Sequence, residues 1–162
     1  MTDFTPNTTL SVSDRRRFLI VSGAAALALM TDGLLLSEAE AAGSSIVTNN
    51  ALAAVNAYRR ANGRGNLRAD ATLGRAAQSH SISMAQSGRI SHKRFKQRMR
   101  QYGIKGYAAE NVASGQKDID RVLRAWKRSS GHRRNMLGNY SRVGLAVAYR
   151  GNRPYWTMML AG

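Results

Sequence analysis

VGLAVAYRGNRPYWTMML, residues 143–160, decides the fold of this chain. Residues 143–149 and 155–160 are two apolar runs of strand length. Gly151-Asn152-Arg153-Pro154 between them supplies turn residues, so the stretch reads as a hairpin. Both strands are apolar at odd and even positions alike. Successive side chains of a strand point to opposite faces, so a strand without polar alternation needs cover on both sides. The expected fold is therefore α/β: an α/β/α sandwich with a small, mainly antiparallel central sheet.

The covering helices lie upstream. Residues 48–62 place Leu52, Val55 and Arg59 on successive turns, with Thr48 as the expected N-cap and Gly63 and Gly65 closing the helix. Asp70 caps the next, in which Leu73, Ala76, Ala77, His80 and Met84 recur at helical steps until Gly88. On that apolar face His80 reads as a hydrogen-bonded core residue. Residues 95–102 form a short basic helix with Phe95, Met99 and Tyr102 on one face and Gly103 as its stop. Residues 118–129, capped by Asp118 or by the preceding Ser114 region, bury Ile119, Val122, Leu123 and Trp126. Ser130-Gly131 is expected to end that helix before a further turn carries His132 to Leu137. Between these helices, residues 107–113 read as a short extended segment bracketed by Gly106 and Gly115.

The chemistry centres on Glu110, a carboxylate set between Ala109 and Val112 that is costly to bury unless something pairs with it. His92, Glu110 and His132 all sit at element ends or loops beside glycine or serine, where functional side chains are displayed. Two imidazoles and a carboxylate are a sufficient ligand set for a hydrolytic zinc site with an open fourth position. The three are 18 and 22 residues apart, and no HExxH pair binds a metal locally. Ser129 and Ser130 have no GxSxG elbow around them and read as a helix end.

Residues 1–41 read as an export signal. Asp14-Arg15-Arg16-Arg17-Phe18-Leu19-Ile20 opens an Ala-rich apolar run to Met30, and Ala39-Glu40-Ala41 offers a small-x-small cleavage site, cut after Ala41. Arg15, Arg16, Phe18 and Leu19 resemble a twin-arginine signal, with Asp14 for the usual Ser or Thr and Ile20 for a Lys. Thr31-Asp32-Gly33 interrupts the apolar run short of the ~20 residues a span needs, so no transmembrane segment is expected in the mature domain, residues 42–162. The expected location is periplasmic or extracellular, reached by the twin-arginine route. No cysteine occurs, so the fold must hold by packing alone. Three of the 25 basic and five of the nine acidic residues lie in the signal. The remainder carries 22 against four, a formal charge of +18 with a dense cluster at residues 93–100. Such a charge attracts polyanions, whether nucleic acid, anionic lipid headgroups or acidic cell-wall polymers; otherwise it is a solvated surface that aids solubility.

In order along the chain, LRADATLGRAAQSHSISMAQSGRISH (67–92), GYAAENVASG (106–115), RAWKRSSGHRRNML (124–137) and GLAVAYRGNRPYWTMML (144–160) resemble the secreted CAP superfamily, also called SCP or PR-1 like, in a small cysteine-free bacterial form. The resemblance implies an α/β/α sandwich whose central cavity is lined by two His and two Glu, a set that binds zinc, calcium or magnesium in several members. Carried over, the cavity and metal residues are His92, Glu110 and His132, with zinc the first metal expected. The second family Glu falls three residues after the helix Trp, where this chain has Ser129. Asn111 and Trp126 match structural partners, and His80 matches no cavity position. The function implied is a secreted binding module at the cell envelope or outside the cell, taking anionic envelope components or a lipid or sterol ligand. One alternative is a metal-dependent hydrolase of a peptide, cell-wall or nucleic-acid polymer, with the metal on His92 and His132 and Glu110 as ligand or general base. The other is a charge-driven polyanion binder.

Overall fold

A computed structural model describes residues 43–162. The export-signal reading of residues 1–41, with Arg15, Arg16, Phe18, Leu19 and cleavage after Ala41, lies outside the described residues. The elements run β1 (Ser44–Ile46), α1 (Thr48–Arg60), β2 (Arg68–Ala69), α2 (Ala71–Ser87), α3 (Phe95–Gln101), β3 (Ala108–Ser114), α4 (Ile119–Arg128), α5 (Ser130–Met136), β4 (Arg142–Arg150) and β5 (Arg153–Ala161). The sheet order is β1-β4-β5-β3, antiparallel throughout that path, and the two-residue β2 pairs parallel with the start of β4.

The hairpin is covered on both faces, as its composition demands. Val143, Leu145, Val147, Trp156, Met158 and Leu160 meet Ala51 and Val55 of α1, Val122, Leu123 and Trp126 of α4, and Met136 of α5. On the other face Ala146, Met159 and Ala161 meet Leu73, Ala76 and Ala77 of α2 and Met99 of α3, and Ala148 and Tyr155 meet Ile82, Met84 and Ala85. The architecture is thus the expected α/β/α sandwich. Gly144 is required where α2 crosses β4: a Cβ there would lie 2.1 Å from the Leu73 carbonyl carbon.

Several local expectations change. Thr48 is the first helical residue of α1, and Val47 holds the N-cap position without a side-chain bond. The Thr48 hydroxyl instead accepts from Leu145 N at 2.8 Å and donates to Leu145 O at 3.3 Å. Backbone pairing runs on as far as Val47 N, which donates to Leu145 O at 2.8 Å, and the hydroxyl gives Leu145 N its acceptor. Arg153 and Pro154 belong to β5, which reduces the turn to Gly151-Asn152 with Gly151 at φ 54°, as a two-residue hairpin loop requires. Ser130-Gly131 opens α5, and Ser129 alone, in extended conformation, breaks α4 from it. β1 and β2 escaped the sequence reading because two or three residues carry no periodicity. Among the described residues no helix is long and apolar enough to cross a membrane.

Candidate functional site

Strand alternation settles which way Glu110 points. Ala109 and Ala113 of β3 face α1 and α4, so Glu110, like Val112, faces the α2 side and Asn111 the opposite one. The Glu110 side chain is 2 % exposed and is met by three cationic or imidazole groups. His92, in the loop after α2, places Nδ1 3.0 Å from Oε1. His80, from α2, places Nε2 3.6 Å from the same oxygen. Arg98, from α3, donates Nη2 to Oε2 in a short contact.

Each of these groups also fastens the loop of residues 88–94. His80 Nε2 is 2.6 Å from the Ser91 carbonyl, and a carbonyl only accepts, so Nε2 carries the proton. Burial pushes the His80 pKa down; the Glu110 charge raises it and Arg98 lowers it, and burial prevails. The buried ring is therefore neutral at neutral pH, and its closeness to Glu110 is not a full ion pair. Arg98 is 8 % exposed, and Nη1 donates to the Lys93 carbonyl at 3.3 Å. The His92 side chain is 58 % exposed and is the one member open to solvent.

His132 stands apart from this group. It lies on α5, edge-on to Trp126 at 6.4 Å, and its carbonyl accepts Asn111 Nδ2 at 3.0 Å. Asn135 Nδ2 in turn donates to Asn111 Oδ1 at 2.9 Å and to the Glu110 carbonyl at 3.3 Å. Neighbouring residues of β3 thus serve two faces: Glu110 holds α2 and α3, while Asn111 holds α5. Burial, and then the charge of His92, push the His132 pKa down, so the two imidazoles feel each other without sharing the carboxylate.

Of His92, Glu110 and His132, then, the structure joins the first two. His80 is buried and hydrogen-bonded as its helical position foretold, and it also borders the site. Arg98 was missed. Its signal was present, since Arg98 falls on the α3 face of Phe95, Met99 and Tyr102, but many basic residues were candidates to meet one buried Glu. The donor set does not fit a resident metal ion. Arg98 and His92 occupy both Glu110 oxygens, Ser129 brings no carboxylate, and among the described residues no group of three or more His, Cys, Asp or Glu is arranged to hold one.

The family model described as CAP, cysteine-rich secretory protein family, matches residues 52–160. The uncharacterized protein YkwD of Bacillus subtilis (strain 168) is 32% identical over 114 residues, 66% of this chain and 44% of its own, so the chain spans less than half the length of that curated relative. An outer surface protein from Borrelia burgdorferi superposes with a TM-score of 0.64 at 21% identity, over 70% of this chain and 90% of its own. An extracellular protein containing an SCP domain, from Bacillus anthracis, gives 0.63 at 22% identity over 70% and 39%. A cysteine-rich secretory protein from Staphylococcus aureus gives 0.57 at 18% over 69% and 38%. At these identities the structural likeness shows the fold.

Proposed function

This chain belongs to the CAP, or cysteine-rich secretory protein, family, and from that premise we propose that it is an exported binding domain drawn to anionic components of the cell envelope. The observation that carries this reading is the distribution of charge. Of the 22 basic residues after the signal, only Arg59 and Arg98 are buried. Of the four acids, Glu110 is buried in its cluster, and Asp70 and Asp118 are paired with Arg142 and Arg121. The field at the surface is therefore positive almost throughout and steers anions toward it. In this reading the Glu110 cluster is an anchor that holds the loop of residues 88–94 and its basic side chains in place.

A hydrolase reading asks more of Glu110 than the geometry offers. A general base needs a free oxygen facing water, and here both oxygens are engaged and the side chain is sealed. Export by the twin-arginine route is part of the same proposal, supported by the Arg15-Arg16 pair and by a cysteine-free core that needs no oxidising compartment to fold.

Sedimentation with lipid vesicles tests the binding. The full chain should co-sediment with phosphatidylglycerol vesicles and not with phosphatidylcholine, and should lose about tenfold or more of its affinity between ~0.05 and ~0.5 M salt. Salt-insensitive retention would sink the reading. So would turnover of a peptide or cell-wall substrate that His92→Ala abolishes, because that outcome assigns the site to catalysis.

A further inference from the structure

Beside the Glu110 cluster, between the C-terminal half of α2 and the loop that follows it, lies a cleft of about 410 Å³. Arg89, Lys93, Arg94, Arg98, Ser83 and Ser91 are among its lining residues, and no carboxylate is. Two further features set it apart from an ordinary basic surface. Arg98 lines it with Nη2 held by Glu110 and Nη1 by the Lys93 carbonyl, while its Nε, sealed from solvent, has no partner. A buried N–H without an acceptor is costly and rare. Arg94 is the one non-glycine among the described residues with positive φ, at 59°, a conformation that an L side chain adopts at a cost and that concentrates at functional sites. The loop keeps that conformation because His80 holds the Ser91 carbonyl and Ser91 Oγ accepts from Lys93 N at 2.9 Å.

We propose that this cleft binds the phosphate group of a phosphate ester, with Lys93 and Arg94 as its exposed cations, Ser83 as a hydroxyl donor and the Arg98 guanidinium as the fixed positive charge behind them. The polar side chains that face it are almost wholly donors. A phosphate presents three acceptor oxygens and up to two charges, which matches several cations at once better than a carboxylate does. The volume exceeds a bare phosphate and leaves room for the group it esterifies. The ester is either a small soluble molecule or a lipid headgroup. This deepens the envelope-binding reading by giving that surface one specific pocket, and it can fail while bulk attraction to anionic vesicles survives.

Calorimetric titration of the full chain with inorganic phosphate and with glycerol 3-phosphate, at constant ionic strength, is the test. Saturable one-to-one binding is expected. Arg94→Gly should weaken it about tenfold while leaving the melting temperature unchanged or raised, because glycine accepts the positive φ without strain. Arg94→Lys should recover part of the loss. Arg124→Ala with Arg128→Ala, exposed on α4 across the sheet, should change it less than about twofold. Absence of saturable binding, or equal loss in the α4 pair, overturns the proposal, since the attraction would then be a diffuse field. Phosphatidic acid vesicles separate the two sources. If Arg94→Gly loses vesicle affinity beyond the α4 pair, the group is a lipid headgroup; if only the titration with glycerol 3-phosphate suffers, it is a soluble ester.

Discussion

At Glu110 a buried carboxylate meets the buried Arg98 guanidinium, the buried His80 ring and the exposed His92 ring, and the pair with Arg98 is the full ion pair among them. A buried ion pair adds little over a well-packed apolar pair, but removing one partner strands the other charge. Arg98→Met and Glu110→Met should each cost about 3–5 kcal/mol in urea denaturation, and the double variant Arg98→Met with Glu110→Met should cost less than either. Costs that simply add would show that the two side chains do not pair. His80 makes a pH prediction. Its folded pKa is depressed below 6.5, chiefly by burial. Above about pH 6.5 folded and unfolded chains both hold a neutral ring and nothing is lost. As pH falls through that value the unfolded chain takes up a proton that the native one refuses, so stability falls. Denaturation from pH 7.5 to 5.5 should show this decline. His80→Gln, whose amide can still reach the Ser91 carbonyl, should flatten part of it. The rest belongs to His132, which is shifted the same way. An unchanged slope in His80→Gln would count against a neutral buried ring.

Among the elements, the least expected tie joins the C-terminal ends of α1 and α5. Arg59 was legible as a position on the inner face of α1, yet it has no acid there. Its guanidinium donates to four backbone carbonyls: Gly65 at 2.7 Å, Met136 at 2.7 Å, Gly138 at 3.0 Å and Tyr140 at 3.3 Å. Met136 closes α5, so the cation also meets the negative end of that helix. Burial, and then the nearby Arg64, push the Arg59 pKa down, though it stays charged. Arg59→Lys should destabilise the domain by about 2–4 kcal/mol, because an ammonium cannot spread over four carbonyls as a planar fork does, and Arg59→Met should cost more. Thermal or urea unfolding of the two variants would check the order, and a Lys variant as stable as wild type would show that charge alone suffices.

For the molecule as a whole, charge and address belong together. A domain of +18 formed in the cytosol would meet nucleic acid at once, so the proposed export bears on what it can bind. Arg15→Lys with Arg16→Lys should leave the precursor in the cytosol, since a twin-arginine receptor distinguishes guanidinium from ammonium. Cell fractionation would decide it, and normal export of the double variant would point to the general secretory route.

The sequence by itself determined the layers. Apolar runs at 143–149 and 155–160, helical spacing in the segments that became α2 and α4, and the Asp70 and Asp118 caps act over a few residues, so periodicity and capping could be read directly. It also singled out Glu110, because an acid in an apolar strand is anomalous wherever it lies. Only the tertiary structure decided what meets that acid. Adjacent residues of β3 point to opposite faces, so the register that turns Glu110 toward α2 and α3 brings His80 and Arg98 to it, while Asn111 takes the His132 carbonyl of α5. Choosing one cation out of 22 depends on how helices distant in sequence dock on a shared sheet, and no local pattern encodes that.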